Sequence, residues 1–122
     1  KTKNIYNFGN HIRDFTYVDD VVKIIYKLSK LKNKNIQTFN ICASNPVKIN
    51  KIIEYFEKFL KKKMNINRKP RRKGEMEITF GSNNKLKKYL KIKKFMPIDL
   101  GLKKTINWYK RFPDKNLFNL YK

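Results

Sequence analysis

Between Ile49 and Leu60 the apolar residues fall where one side of an α-helix would place them. Ile49, Ile52, Ile53, Phe56, Phe59 and Leu60 recur at helical spacing, and Lys51, Glu54, Glu57 and Lys58 take the opposite face. A stripe of this kind has to be covered, so other elements of the chain must fold against it. The 122 residues suffice for one domain with a modest core and leave no room for two independent ones. An apolar share of 40% and an aromatic share of 14% are too high for a disordered tail, despite the heavy charge.

The remaining elements follow from local pattern. Asn4 to Phe8 is β-prone and ends at Gly9, which predicts a short strand and a loop. Thr16 with Asp19 three residues later resembles a capping box, and Asp19 and Asp20 suit the positive end of a helix dipole. Val18, Val21, Val22, Ile25 and Leu28 then predict a helix with one apolar stripe against a core, ended by the polar run from Lys30 to Asn35. Gln37 to Ile41 predicts a second strand, closed by the turn-forming Ser44-Asn45-Pro46. Met64 to Arg68 is a third strand candidate before the basic loop from Lys69 to Gly74. Helices from about Ser82 to Leu90 and from Asp99 to Phe112 complete the pattern, the last presenting Leu102, Ile106 and Tyr109 on one face with Trp108 close by.

The formal charge of +22 points first to a nucleic-acid or anionic-membrane partner. Its make-up argues for a blander origin. Of the 31 basic residues 26 are lysines and five are arginines, Ala occurs once, at Ala43, and lysines decorate every segment. A dedicated binder would gather its cations on one face, because phosphate contacts must track a backbone. Solvated lysine faces are therefore expected, with no specific nucleic acid and no membrane partner; a small basic nucleic-acid-binding module stays open as the alternative. No run approaches the roughly 18 apolar residues of a membrane span, and the first residues lead into no signal-like apolar region, so a cytoplasmic location is expected. Cys42 has no second cysteine to pair with and only His11 beside it as a soft ligand, which makes it a small buried residue and excludes a metal cluster from the expectation. The chain begins at Lys1 rather than Met, so a truncated chain is expected.

The segment Arg13-Asp14-Phe15-Thr16-Tyr17-Val18-Asp19-Asp20 carries more specific information. It resembles the R-D-[FY]-x-[YH]-V-x-D signature of the extended short-chain dehydrogenase/reductase family, the NAD-dependent nucleotide-sugar epimerases and dehydratases. The order of later segments strengthens the resemblance: Thr38-Phe39-Asn40-Ile41, Pro46-Val47 with the helix from Ile49, Arg72-Lys73-Gly74-Glu75, Thr79-Phe80, and Gly101-Leu102 through Trp108-Tyr109. It covers roughly Asn4 to Phe112 and is most similar to the UDP-glucuronate 4-epimerases. The fold class it implies is α/β in the mixed α+β sense, about four helices with short strands, as the carboxy-terminal substrate-binding portion of an enzyme whose Rossmann domain is missing.

By that resemblance Arg13 and Arg72 are ligands of the UDP-sugar diphosphate, where planar guanidinium groups give paired charge-assisted hydrogen bonds that lysine does not copy. A structural salt bridge from Arg13 to Asp14 or Asp20 is the alternative, and a slip of one residue would exchange Arg72 with Arg71. Glu75 stands where the family has an aspartate that accepts from the ribose hydroxyls. Thr79 matches a residue that shapes the hexose pocket. Gly81-Ser82 and Lys94 depart from the family's loops. The resemblance further implies polysaccharide precursor synthesis, NAD in the intact enzyme and a homodimer built from the absent half.

The chain itself lacks the parts that hydride chemistry needs. Gly9, Gly74, Gly81 and Gly101 cannot form a dinucleotide-binding turn. Tyr26 with Lys30 and Tyr89 with Lys93 match a Tyr-x-x-x-Lys spacing, but so lysine-rich a chain produces such matches by chance, and neither lies upstream of Arg13 where the catalytic pair belongs. No catalytic residue and no cofactor binding by this chain alone are expected.

Overall fold

The computed structural model describes residues 2–32 and 35–111. Their elements, in chain order, are β1 (Lys3–Ile5), a 3-10 turn (Asn7–Gly9), β2 (Ile12–Arg13), α1 (Val18–Ser29), β3 (Val47–Lys48), α2 (Ile49–Leu60), β4 (Ile66–Arg68), β5 (Ile78–Thr79), α3 (Asn84–Leu90) and α4 (Ile98–Arg111). Four helices and short strands are the mixed α/β architecture expected. Phe112, the expected end of the last helix, lies outside the described residues.

The strands form two small sheets. In the first, β1 runs parallel to β4 with Lys3 opposite Ile66 and Ile5 opposite Arg68. In the second, β2 is central, antiparallel to β3 and parallel to β5, so Arg13 lies between Val47 and Thr79. Two backbone bonds join the sheets into one path, from Phe8 N to Lys69 O and from Ile12 N to Glu77 O. The segment from residue 3 to 13 therefore runs beside the segment from 65 to 79, while residues 70–76 loop outward. The chain can turn between β1 and β2 because Asn7, Phe8 and Gly9 all take positive φ, which ends the first strand at Ile5 rather than at Phe8. The Asn50 amide on α2 packs so close to Gly9 that an added Cβ would collide with it.

The buried apolar side chains among the described residues are Ile24, Ile52, Ile53, Leu86 and Ile106, drawn from all four helices. Each contributes about 1.5–3 kcal/mol by leaving water. The α2 stripe is thus used as its spacing predicts. The α1 stripe is not: its buried residue is Ile24, whereas Val18, Val22 and Ile25 are more than half exposed because nothing among the described residues covers that side. The expected capping box is also absent. Tyr17 occupies the N-cap without a side-chain cap bond, and the Thr16 hydroxyl instead accepts the Ala43 N–H. Gln37 to Ile41 forms no strand, since no neighbouring strand pairs with it; Phe39 turns to the Tyr89 ring instead, 4.9 Å away between centroids. Cys42, expected to be buried, is half-buried and free.

At the end of α2 the Glu57 carboxylate accepts from Lys63 Nζ and Met64 N, both at 2.9 Å. The Lys63 bond first and the Met64 N–H second hold its pKa below the usual carboxylate range. A carboxyl that titrates lower when folded contributes stability above its unfolded pKa and loses it as pH falls through the folded value. The urea midpoint of the native chain should therefore fall more steeply between neutral and acidic pH than that of Glu57→Gln; parallel slopes would contradict the assignment. Gly9→Ala combines a positive φ with the Asn50 collision and should cost about 1–3 kcal/mol in urea denaturation, and an unchanged midpoint would show that the turn is not held as described.

Candidate functional site

The parallel pairing of β2 with β5 brings two of the four expected site residues together. Arg13 is cross-strand neighbour to Thr79. Its guanidinium turns along the sheet: Nη1 donates to the carbonyls of Ile12 at 2.7 Å and Glu77 at 3.1 Å, and Nη2 to that of Met76 at 2.8 Å. Three of its five N–H donors therefore hold the strand and the loop before it. No salt bridge forms to Asp14 or Asp20. Asp14 accepts instead from the backbone N–H groups of Ser44 and Asn45, and Asp20 from that of Met96.

The loop from Lys69 to Gly74 carries Arg71 and Arg72 in different surroundings. Arg71 is exposed and lies 3.8 Å from the Glu77 carboxylate. Arg72 lies over the Tyr6 ring, its guanidinium carbon 3.5 Å from the centroid, a contact worth about 0.5–1 kcal/mol at an exposed position. The loop closes on itself, with Glu75 N donating to Arg72 O and Arg72 N to the Glu75 carboxylate, both at 3.3 Å. Gly74 supplies the positive φ this turn requires.

Beneath the loop, His11 is buried, and its Nε2 points toward Glu75 Oε2 at 3.6 Å with no hydrogen-bond partner. That separation is too long for a hydrogen bond. Tyr6 and His11 were not among the residues expected from sequence. Both belong to the segment between the first two strands, and only the fold brings them against a loop some 65 positions away.

The remaining candidates have structural surroundings. Burial first, and the Asp14 carboxylate next, push the Cys42 thiol up, so it is a protonated small side chain at neutral pH. Lys30 Nζ lies over the face of the Tyr26 ring at 5.2 Å from its centroid rather than beside its hydroxyl. Tyr89 packs against Phe39. Among the described residues no three His, Cys, Asp or Glu side chains converge to hold a metal, and no helix is long and apolar enough to cross a membrane. Among the described residues no glycine-rich turn opens any of the four helices.

No family model matches the chain. An uncharacterised protein of Methanocaldococcus jannaschii is 38% identical over 109 residues, a match that covers 89% of this chain and 33% of that protein. The UDP-glucuronate 4-epimerase of Thermodesulfobacterium geofontis is 33% identical over 111 residues, covering 90% of this chain and 34% of that enzyme. The crystal structure of UDP-glucuronic acid 4-epimerase from Bacillus cereus, in complex with UDP-glucuronic acid and NAD, superposes with a TM-score of 0.77 at 26% identity, over 88% of this chain and 35% of that one. The chain thus spans about a third of the length of the relatives it matches. Over nearly its whole length the chain is similar in sequence and in fold to the carboxy-terminal part of the extended short-chain dehydrogenase/reductases, the NAD-dependent epimerases and dehydratases.

Proposed function

We propose that this chain is the nucleotide-sugar-binding part of an NAD-dependent sugar epimerase of the UDP-glucuronate 4-epimerase type, which supplies precursors for polysaccharide synthesis. The observation that supports the reading is the parallel run of residues 3–13 beside 65–79, in which Arg13 pairs with Thr79 and the loop of Arg72 and Glu75 contacts Tyr6 and His11. In this reading Arg72 and the two N–H donors of Arg13 not used by carbonyls meet the diphosphate. Glu75 accepts from the ribose hydroxyls, and Thr79 bounds the hexose. Catalysis and NAD binding belong to a separate Rossmann half. The exposed α1 stripe of Val18, Val22 and Ile25, together with the 99% exposed Ile36, supports a second domain that covers them.

The division of labour gives a direct test. Titration calorimetry of the isolated chain should show weak UDP binding, in the millimolar range, no NAD binding and no turnover of UDP-glucuronate. Micromolar NAD affinity or measurable epimerisation would refute the division, and a complete lack of UDP binding would refute the site.

A further inference from the structure

The loop that carries Arg72 and Glu75 is anchored at both ends to one segment of the chain. On its near side Phe8 N donates to Lys69 O at 3.0 Å, and on its far side Ile12 N donates to Glu77 O at 2.9 Å. Two side chains of the same segment face the loop: Tyr6, just before the first anchor, lies under the Arg72 guanidinium, and the buried His11, between the anchors, lies near the Glu75 carboxylate. Arg72 is exposed, and a free arginine would sample many rotamers in such a position. We infer that Tyr6 is a positioning residue for ligand binding: its ring holds the Arg72 guanidinium over its face, so that the fork is preset for an anionic ligand of the nucleoside diphosphate class. The inference rests on the reading of Arg72 as a diphosphate contact.

Three features support a positioning role. The ring offers a face rather than a hydrogen bond, so it orients the guanidinium plane without using any of its five N–H donors. The backbone anchors on either side limit how far the loop can carry the arginine from the ring. The neighbouring Arg71 has no ring beneath it and faces Glu77 instead, so of this adjacent pair the one stacked over an aromatic face is Arg72.

Holding one rotamer-rich side chain before binding is worth about a two- to tenfold gain in affinity. The test uses the whole chain, with UDP as the probe and NMR as the readout. In the native chain and in Tyr6→Phe the side-chain protons of Arg72 should be shifted upfield by the ring current, and both proteins should bind UDP equally. In Tyr6→Leu the shift should vanish and UDP affinity should fall about two- to tenfold. An unshifted Arg72 in the native chain overturns the inference without any variant, which guards against Tyr6→Leu failing to fold. Unchanged or tighter binding by Tyr6→Leu, alongside weakened binding by Arg72→Ala, overturns the positioning role and leaves the diphosphate site standing. A loss in Tyr6→Phe equal to that in Tyr6→Leu assigns the effect to the hydroxyl and overturns the stacking account. Native affinity in Arg72→Ala removes the diphosphate site itself and the inference with it.

Discussion

The Asp14 carboxylate accepts the backbone N–H groups of Ser44 and Asn45, and much of the fold depends on this small clamp. Ser44 takes a positive φ without being glycine, so the turn that redirects the chain into β3 and α2 needs an external acceptor to hold it. The residues around Asp14 repeat the device on other segments. Arg13 binds the carbonyls of Met76 and Glu77, Thr16 accepts from Ala43 N, and Asp20 accepts from Met96 N. Tyr17 packs against Gly101 closely enough that an added Cβ would stand 3.3 Å from its ring. Eight consecutive residues therefore tie together the turn before β3, the approach to β5 and the start of α4. Hydrogen bonds that involve charged groups contribute more than neutral ones, about 1.5–3 kcal/mol each, which offsets the small size of the apolar core.

The same clamps place the candidate ligands. Because Arg13 binds the carbonyls of Met76 and Glu77, β5 is drawn parallel to β2, and the basic loop before it must lie over the segment from Tyr6 to His11. Charge alone would not achieve this. With a formal balance of +22, long-range attraction would draw an anion to many lysines alike. Discrimination has to come from cations whose geometry is fixed, and of the two candidate arginines Arg13 is held by carbonyls and Arg72 by an aromatic face.

The helices were legible because their apolar residues recur at helical spacing, as with Ile49, Ile52, Ile53, Phe56 and Leu60. Strands β2, β3 and β5 were not legible, since two residues carry no alternation; they exist because the Arg13 and Asp14 clamps align their backbones. Gln37 to Ile41 has strand-forming residues but no partner to pair with, and propensity does not create one. The α1 stripe was read correctly as apolar and wrongly as inward, because periodicity reveals that a face wants cover and not which body supplies it. At the site, Arg13, Arg72, Glu75 and Thr79 were named from motif resemblance, whereas Tyr6 and His11 lie outside those motifs. Their signal is a long-range register that becomes visible only when Ile5 is seen opposite Arg68 and Ile12 opposite Ile78.

The central claim is that one fixed site of this chain, and not its diffuse charge, receives a nucleoside diphosphate. Chemical-shift mapping of UDP onto the chain at physiological salt tests it most directly. The account predicts perturbations concentrated at Arg13, Arg72, Glu75 and Thr79. Perturbations spread across the lysines of α2 and α4, which fade together as salt is raised, would contradict it.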